Sequence, residues 1–216
     1  MKNIKDELQH IILGHEPIGQ AGKLQKIQRF LRSNAETSFS TEKQQRLKSE
    51  EAPALIAFAE QEDVFYAPAI DEDNFISEGA EQKVYRLNGS HVIKTNAGAF
   101  YECWLDYFNS LLIHNYFFPA TAYTFLGFKI IAGELNAVVM QEFILTSEPT
   151  DLTAVKEFLE YNKFHNNRNN DYINNELGLI FEDLHDENVL SANGVLFFID
   201  TVFYLTANFY TASGSH

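Results

Sequence analysis

Three polar residues near the end of the sequence have types and spacings that could form a metal site with a proton acceptor beside it. In "IFEDLHDENVLSANGVLFFID", Asp183 and Asn188 are separated by a short turn, and Asp200 ends the next apolar run. A hairpin through "SANG" would return Asp200 to the side of Asn188. A carboxylate and an amide oxygen form a hard oxygen site of the kind that holds Mg²⁺ together with a phosphate-bearing ligand. Asp183 would then accept a proton from a substrate hydroxyl, and the alternative is that it only forms a turn at a strand end.

The segments before this cluster alternate between strand and helix patterns. The apolar runs "KVYRL" and "HVIKT" flank the turn "NGS", and "TAYTFLGFKI" and "LNAVVMQEFI" flank "IAGE", so each pair predicts an antiparallel hairpin. Apolar residues at helical spacing from Phe100 to Leu112 predict an amphipathic helix that is ended by Pro119. "DLTAVKEFLEYNKF" predicts another helix capped by Asp151, and the Asn-rich "NNRNNDYINNE" predicts a loop or a broken helix. This order indicates an α+β fold with an antiparallel sheet, one helix on it, and a smaller second lobe.

The first seventy residues have a different, helical pattern. "TEKQQRLKSEEAPALIAFAEQ" predicts one or two helices, in which Thr41 and Gln44 fit a capping box and Pro53 marks a kink or a first turn. "AGKLQKIQRFLRSN" predicts another helix from its apolar residues Leu24, Ile27, Phe30 and Leu31. We therefore expect a helical region over residues 1–70 and a second domain over residues 71–216.

Composition and charge exclude several classes of protein. The 216 residues include 45% hydrophobic and 21% charged residues, which is typical of a globular chain. The formal charge of −14 argues against nucleic acid and anionic membranes as partners, because both surfaces are negative. The single cysteine, Cys103, cannot form an internal disulfide, and the opening "MKNIKDELQH" is not a signal peptide. We therefore expect a cytoplasmic protein.

The acidic cluster resembles the catalytic loop of the protein-kinase-like fold, where D-x-[HK]-x-x-N precedes a strand that ends in a metal-binding Asp. The resemblance implies ATP and Mg²⁺ as cofactors, Asp183 as the catalytic base, and Asn188 and Asp200 as metal ligands. His185 stands where eukaryotic-type protein kinases have a phosphate-contacting lysine, and this form is more similar to aminoglycoside and choline kinases. His185 would either contact phosphate or hydrogen-bond within the loop.

The upstream segments agree with this resemblance in their order. "ISEGAEQKVYRLNGSHVIKT" resembles a phosphate-covering loop around Gly79, followed by two strands that end at Lys94. Lys94 would pair with the phosphates of the nucleotide, and the alternative is a lysine that protects a sheet edge from aggregation. Glu102 in the following helix would hold Lys94, with Asp106 one turn further along as the alternative. "AVVMQEFI" resembles a strand entering the hinge, where adenine would meet the backbone of Glu142, Phe143 and Ile144.

More narrowly, the chain resembles the kinase domains of bacterial polyvalent proteins, which are multidomain proteins of phages and mobile elements. The motifs "EGAEQKVY", "VIK", "HN-x-x-FP" and "DLHDENVL…FFID" carry this resemblance between Phe75 and Leu205. It implies a two-lobed fold with an N-lobe at about 71–144 and a reduced C-lobe at about 145–216. Within "HN-x-x-FP", we interpret His114 as a structural histidine at a helix end.

The implied activity is transfer of a phosphoryl group from ATP to a protein Ser, Thr or Tyr. Two departures leave alternatives open: the phosphate-covering loop has one glycine, and only sixteen residues follow Asp200, too few for an activation segment. One alternative is therefore a phosphotransferase that acts on a small hydroxylated molecule, as aminoglycoside kinases do. The other is a pseudokinase that binds nucleotide and serves as an interaction module.

Overall fold

A computed structural model describes residues 3–14, 22–37, 48–79, 82–98 and 101–212 of the chain. Within these ranges the fold is α+β, as expected. The helices are α1 (Ile4–Ile12), α2 (Gly22–Thr37), α3 (Lys48–Gln61), α4 (Trp104–Phe117) and α5 (Leu152–Tyr161). The strands are β1 (Phe75–Glu78), β2 (Gln82–Arg86), β3 (His91–Asn96), β4 (Thr124–Ile131), β5 (Glu134–Glu142), β6 (His165–Arg168), β7 (Asp171–Asn174), β8 (Leu179–Glu182), β9 (Val189–Ala192), β10 (Val195–Phe198) and β11 (Val202–Leu205). No helix in the described ranges is both long and apolar enough to cross a bilayer.

The chain divides by its internal contacts into two compact units. The sheet unit comprises Ile18–Phe108 and Tyr123–Phe143, and the terminal unit comprises Met1–Pro17, Asn109–Ala122 and Ile144–His216. Each unit therefore includes part of the N-terminal seventy residues. The expected division at residue 70 stays a prediction.

The sheet unit contains five antiparallel strands in the order β1-β2-β3-β5-β4. Both hairpins expected here are confirmed: β2 pairs with β3, and β4 pairs with β5. The first turn is closed by Asn88, whose Oδ1 accepts from the backbone N–H groups of Ser90 and His91 at 2.9 and 3.0 Å. The second turn places Ala132 and Gly133 at φ values of 51° and 87°, the left-handed conformation that two-residue hairpin turns require.

Aromatic side chains fill the core of the sheet unit. Trp104 and Phe108 at the start of α4 pack against Phe125 and Phe128 of β4, with ring centroids 5.5–6.1 Å apart. The predicted α2 is confirmed, and its Phe30 stacks on Phe58 of α3 at 4.2 Å. Three of its predicted apolar positions are buried: Leu24, Ile27 and Leu31.

The terminal unit contains a four-stranded antiparallel sheet, ordered β11-β8-β7-β6, and the separate hairpin β9–β10. The prediction of a loop or broken helix for the Asn-rich segment is wrong, because this segment forms β6 and β7. Asn169 adopts a φ of 49° between these strands, and asparagine tolerates this left-handed conformation better than most residues. Asparagine therefore supplies the turn of a hairpin here. The predicted cap of α5 is confirmed, since Asp151 accepts from Thr153 N at 2.8 Å.

Helix α1 lies within the expected helical region, although no motif in the sequence was assigned to it individually. Asn3 caps it by accepting from the N–H of Lys5, and Leu8 and Ile12 are buried on one face. The Lys5 ammonium donates to the carbonyl of Asn208 at 2.7 Å, which ties the helix to a 3₁₀ turn late in the chain.

Two predicted features of the N-terminal half have other outcomes. Pro53 lies inside α3, so it does not begin a helix. Thr41 and Gln44 of the expected capping box, like Phe100 of the expected amphipathic helix, lie outside the described residues. That helix, α4, begins at Trp104 and ends at Phe117, just before Pro119.

Helix α3 holds the segment that joins β3 to α4. The buried carboxylate of Glu51 accepts from the backbone N–H of Trp104 and so caps the N-terminus of α4. Lys48 donates through its backbone N–H to the carbonyl of Glu102 at 3.0 Å, and through its ammonium to the carbonyls of Ala97 and Gly98. Glu51 thus satisfies a backbone donor at the start of α4, and Lys48 adds a donor to the carbonyls of the β3–α4 connection.

We expect Glu51→Ala to destabilise the sheet unit, because the helix loses its cap and a buried N–H loses its acceptor. The free energy of unfolding should fall by about 1 kcal/mol, the usual contribution of a capping side chain. Trp104 is the only tryptophan and is buried at this position, so its fluorescence during urea unfolding measures the effect directly. Glu50→Ala, at the exposed neighbouring position, is the matched control. Equal unfolding midpoints for the two variants would contradict the assigned cap.

Candidate active site

The predicted base lies directly after a buried strand and has an unusual backbone conformation. Strand β8 ends at Glu182, and Asp183 follows with a φ of 65°. Left-handed backbone is uncommon outside glycine and is found most often where surrounding contacts impose it, frequently at functional sites. Phe181, two residues earlier, is buried and stacks on Phe203 at 4.1 Å, which fixes the end of the strand. The backbone N–H of Asp183 faces the carboxylate of Asp171 at 3.3 Å.

Asn188 holds the turn that Asp183 begins. Its Nδ2 donates to the backbone carbonyl of Asp183 and to the Oδ2 of the same residue, both at 2.8 Å. Leu184 and Val189, which flank the turn, are buried, so the polar side chains between them have fixed apolar anchors. The sequence expectation that a short turn brings Asp183 and Asn188 together is confirmed.

His185 lies against the same carboxylate. Its Nδ1 accepts from the backbone N–H of Glu187 at 3.3 Å. Its Nε2 lies 3.1 Å from Nδ2 of Asn188 and 3.2 Å from Oδ1 of Asp183. The imidazole therefore lies beside one carboxylate oxygen of Asp183, while Asn188 donates to the other. His185 thus makes hydrogen bonds within the loop, and its contact with phosphate stays a prediction.

The predicted hairpin after Asn188 is confirmed and returns the chain to it. Strands β9 and β10 pair in antiparallel fashion around Asn193 and Gly194, both with left-handed φ. The pairing continues one step further, because Ile199 N donates to the carbonyl of Asn188 at 2.9 Å. Asp200 is the next residue and is half-buried. The backbone therefore brings the two predicted metal ligands to the same end of one hairpin.

The donor atoms of Asn188 and Asp200 are of the types that a hard divalent cation binds. All hydrogen bonds of the Asn188 side chain within the described residues are made by Nδ2, which leaves Oδ1 with its lone pairs. Together with the carboxylate of Asp200, this gives two oxygen donors of the type that Mg²⁺ prefers. No cluster of three or more His, Cys, Asp or Glu side chains suited to a metal occurs in the described part of the chain.

The neighbourhood of Asp183 is acidic. Burial, followed by the charges of Asp171 and Asp183, raises the pKa of the Glu182 carboxyl above its usual value. Glu182 lies on β8 immediately before the predicted base. Negative charge concentrated here would attract a cation and would be partly neutralised by it.

Lys94 belongs to the sheet unit and is almost completely buried, with 3% of its surface exposed. It lies on β3, which has β2 on one side and β5 on the other, so the alternative of an edge lysine is wrong. Its Nζ is 5.5 Å from the centroid of the Tyr123 ring. Lysine is seldom fully buried in proteins, so this position is unusual.

The acidic residue expected to hold Lys94 is not on the helix where the sequence placed it. Glu102 precedes α4 and is exposed, because the cap from Glu51 starts the helix at Trp104. Asp106 lies in the first turn of α4, where burial and this carboxylate raise the pKa of the Cys103 thiol to about 12. Sequence reasoning missed Glu51, whose only signal was an acidic residue at the start of an amphipathic segment.

Backbone donors at two other predicted nucleotide contacts are engaged within the sheet unit. The N–H of Gly79 donates to Gln82 O at 2.9 Å and closes the β1–β2 connection. The N–H of Phe143 donates to Ser90 O at 2.8 Å, directly after β5 ends at Glu142. The boundary between the two compact units falls between Phe143 and Ile144, within the predicted hinge.

A cavity of about 750 Å³ lies against the sheet unit, lined in part by Lys83, Thr95 and Asn136. Thr95 and Lys94 are neighbours on β3 and so point to opposite faces of the sheet. The cavity therefore lies on the face of the sheet opposite Lys94. A large volume on that face is not evidence for the phosphate-binding site.

The comparison with protein families identifies the family of the chain. The family described as "Serine/Threonine/Tyrosine Kinase found in polyvalent proteins" matches residues 48–207. The chain belongs to this family. The resemblance seen in the sequence is thereby confirmed, and the match begins earlier than Phe75, so that α3 is included. No curated protein and no solved structure is significantly similar to the chain.

Membership of this kinase family indicates a phosphotransferase. The matched range covers all four residues on which the predicted site depends. Lys94 lies in the matched range, as do Asp183, Asn188 and Asp200. The match also covers Lys48 and Glu51, the two α3 residues that hold the β3–α4 connection. The matched range thus contains structural contacts of this chain that the short motifs do not reveal.

We expect Glu182→Gln to stabilise the protein at neutral pH. The folded-state pKa of Glu182 is raised, so the ionised form is disfavoured in the fold and its penalty is present above that pKa. Below the unfolded value of about 4.5 both states are protonated and the penalty disappears. The midpoint of thermal unfolding should therefore be higher than wild type at pH 7, with the difference shrinking as the pH falls toward 4.

Glu157→Gln, at an exposed position on α5, is the control for loss of one negative charge. A gain in Glu182→Gln that stays constant across this pH range would show that the environment of Glu182 is not the cause.

Proposed function

We propose that this kinase transfers the γ-phosphoryl group of ATP to a protein Ser, Thr or Tyr hydroxyl in the presence of Mg²⁺. The observation that carries the proposal is the arrangement around Asn188, whose amide binds the carboxylate of Asp183 with its nitrogen and leaves its oxygen available. Asn188 would thereby orient the proton acceptor Asp183 with its nitrogen and bind the metal with its oxygen. Asp200 follows the residue hydrogen-bonded to Asn188, which supports its assignment as the second ligand.

In this proposal Asp183 orients the acceptor hydroxyl and takes its proton. Its Oδ2 accepts from Asn188 and its Oδ1 lies beside the His185 ring, so the carboxylate is held in one orientation. A carboxylate oxygen has a second lone pair, which leaves a place for the hydroxyl proton. Such positioning supplies much of the rate enhancement in phosphoryl transfer, since the protein makes little covalent contribution.

Asn188 and Asp200 would hold Mg²⁺ through Oδ1 and the carboxylate. The ion, when bound, would neutralise negative charge on the phosphates. Lys94 would add a fixed positive charge from the sheet unit, and its burial supports this role because a buried ammonium keeps a strong field in a poorly screened environment.

The proposed two-lobed arrangement assigns the sheet unit to the N-lobe and much of the terminal unit to the C-lobe. It is supported by the five-stranded antiparallel sheet and by the unit boundary at Phe143 and Ile144. Adenine would meet the backbone near this boundary, between Glu142 and Ile144. We expect Phe143 N to contribute little to this contact, because that donor is bonded to Ser90.

Asp183→Asn should abolish most of the phosphoryl transfer while leaving nucleotide affinity close to wild type. A general base contributes roughly 10²–10⁴-fold, so kcat should fall by that factor. The measurement is transfer of label from γ-labelled ATP with Mg²⁺, together with nucleotide binding by calorimetry. Glu187→Gln removes an exposed carboxylate from the same loop and should retain activity. Comparable rates in wild type and Asp183→Asn would refute the assigned base.

A small hydroxylated molecule is the second candidate acceptor. The observation that favours it is the contact of His185 with Asp183 at 3.2 Å, because the D-x-H-x-x-N form is similar to that of aminoglycoside and choline kinases. After Asp200 the chain also continues directly into β11, which pairs with β8. An activation segment, which protein kinases have at this place, does not fit between Asp200 and β11.

Two pools of acceptor separate these candidates. We expect label from ATP to appear on Ser, Thr or Tyr residues of the kinase or of a mixed protein pool, and to be lost in Asp183→Asn. Label confined to a pool of aminoglycosides and amino alcohols would support the small-molecule alternative. Nucleotide binding without transfer to either pool would indicate a pseudokinase that serves as an interaction module.

A further inference from the structure

His114 is a completely buried histidine to which the proposed chemistry assigns no role. Its Nε2 lies 2.8 Å from the carbonyl oxygen of Thr121, and its Nδ1 lies 2.7 Å from Oγ1 of Thr201. A carbonyl can only accept, so Nε2 carries a hydrogen and donates it. In the neutral ring Nδ1 then accepts from the Thr201 hydroxyl. The imidazole thus joins the 3₁₀ turn after α4 to the residue that follows Asp200.

A second arm from the same turn reaches the other side of Asp200. The hydroxyl of Thr121 donates to the carbonyl of Phe198 at 2.6 Å, and this hydroxyl is also buried. His114 holds Thr121 by its carbonyl, so both arms depend on the same ring. The short segment from Phe198 to Thr201 is therefore fixed at each end, with Asp200 between the two fixed residues.

Stacked aromatic rings enclose these bonds. Phe118 stacks on Phe198 with centroids 4.4 Å apart, and the His114 ring lies 5.4 Å from Phe118. Water cannot readily replace a hydrogen bond in such surroundings, because an unpaired buried group is costly. Loss of one hydroxyl should therefore loosen the segment rather than be compensated by solvent.

We propose that His114 is a positioning residue for the metal ligand Asp200. Through Thr201 and Thr121 it fixes the backbone at both sides of Asp200, so that Ile199 stays bonded to Asn188 and the two metal ligands keep their spacing. This inference rests on the proposed function for the role of Asp200, but the fixing of the backbone does not. Partners that orient metal ligands typically change metal affinity or activity by 10–100-fold when removed.

The first test measures the backbone without any ligand. Thr201→Val removes the hydroxyl at nearly constant volume, and Thr201→Ser keeps it. Hydrogen exchange at the amide of Ile199 should rise about fivefold in Thr201→Val and in His114→Asn, as expected for loss of one hydrogen bond, and should stay near wild type in Thr201→Ser.

Ser110→Ala is the matched control. Ser110 is equally buried in the terminal unit and its hydroxyl accepts from Phe203 N at 2.9 Å, three residues beyond Asp200. Its loss should leave exchange at Ile199 unchanged. An equal rise in Ser110→Ala, or none in Thr201→Val, would overturn the proposal.

The second test measures the Mg²⁺ concentration that gives half-maximal phosphoryl transfer. We expect this Mg²⁺ concentration to rise roughly tenfold in Thr201→Val, with little change in the KM for acceptor. In Thr201→Ser it should stay near the wild-type value. A structural defect alone would lower the amount of active protein and leave the Mg²⁺ dependence unchanged. An unchanged Mg²⁺ dependence in an active Thr201→Val would overturn the positioning role.

The two failures are distinguishable. If wild type transfers no phosphate but exchange at Ile199 responds as expected, the proposed function is wrong while His114 still fixes this segment. If wild type is active and exchange does not respond, the kinase assignment stands and the role of His114 is refuted.

Discussion

The hydrogen bonds from the Asn188 side chain to Asp183 hold together the part of the molecule on which the proposed chemistry depends. Asp183 has a left-handed backbone, which costs a non-glycine residue about 1–2 kcal/mol. A hydrogen bond to an ionised group contributes about 1.5–3 kcal/mol, so the bond to Oδ2 alone offsets this strain. The second bond, to the Asp183 carbonyl, fixes the turn itself. The spacing D-x-x-x-x-N thus stabilises the turn itself, independently of the proposed catalysis.

Aromatic packing determines where this turn and Asp200 lie in the terminal unit. Phe181 precedes Asp183 by two residues and stacks on Phe203, and Phe198 precedes Asp200 by two residues and stacks on Phe118. Each acidic residue therefore follows a buried ring at the end of a strand. Stacked aromatic pairs stabilise a fold by about 0.5–1.5 kcal/mol beyond the burial of their surface area. Several of the Phe residues of this chain therefore help to fix the backbone next to Asp183 and Asp200.

How far the sequence predicts the structure depends on the range of the contacts involved. Hairpins such as β2–β3 and β9–β10 follow from turn residues and alternation, and the Asp151 cap follows from one residue type. The Asn-rich hairpin was missed because asparagine is rare in strands, although it suits the turn. Glu51 was missed because its partner, the N–H of Trp104, is fifty-three residues away in sequence. Contacts of that range have no local pattern, which is also why the start of α4, and so the place of Glu102, was wrongly predicted.

The proposed metal site requires a phosphate ligand in order to be complete. Asn188 and Asp200 supply two oxygen atoms, whereas Mg²⁺ takes six ligands in a near-octahedral arrangement and releases its waters reluctantly. The described residues contain no cluster of three or more His, Cys, Asp or Glu side chains suited to a metal, and in this proposal phosphate oxygens and water would supply the remaining positions. Metal binding and nucleotide binding would then be coupled, each strengthening the other. A site with only two protein ligands is therefore suited to a metal that arrives with the nucleotide rather than to a permanently bound one.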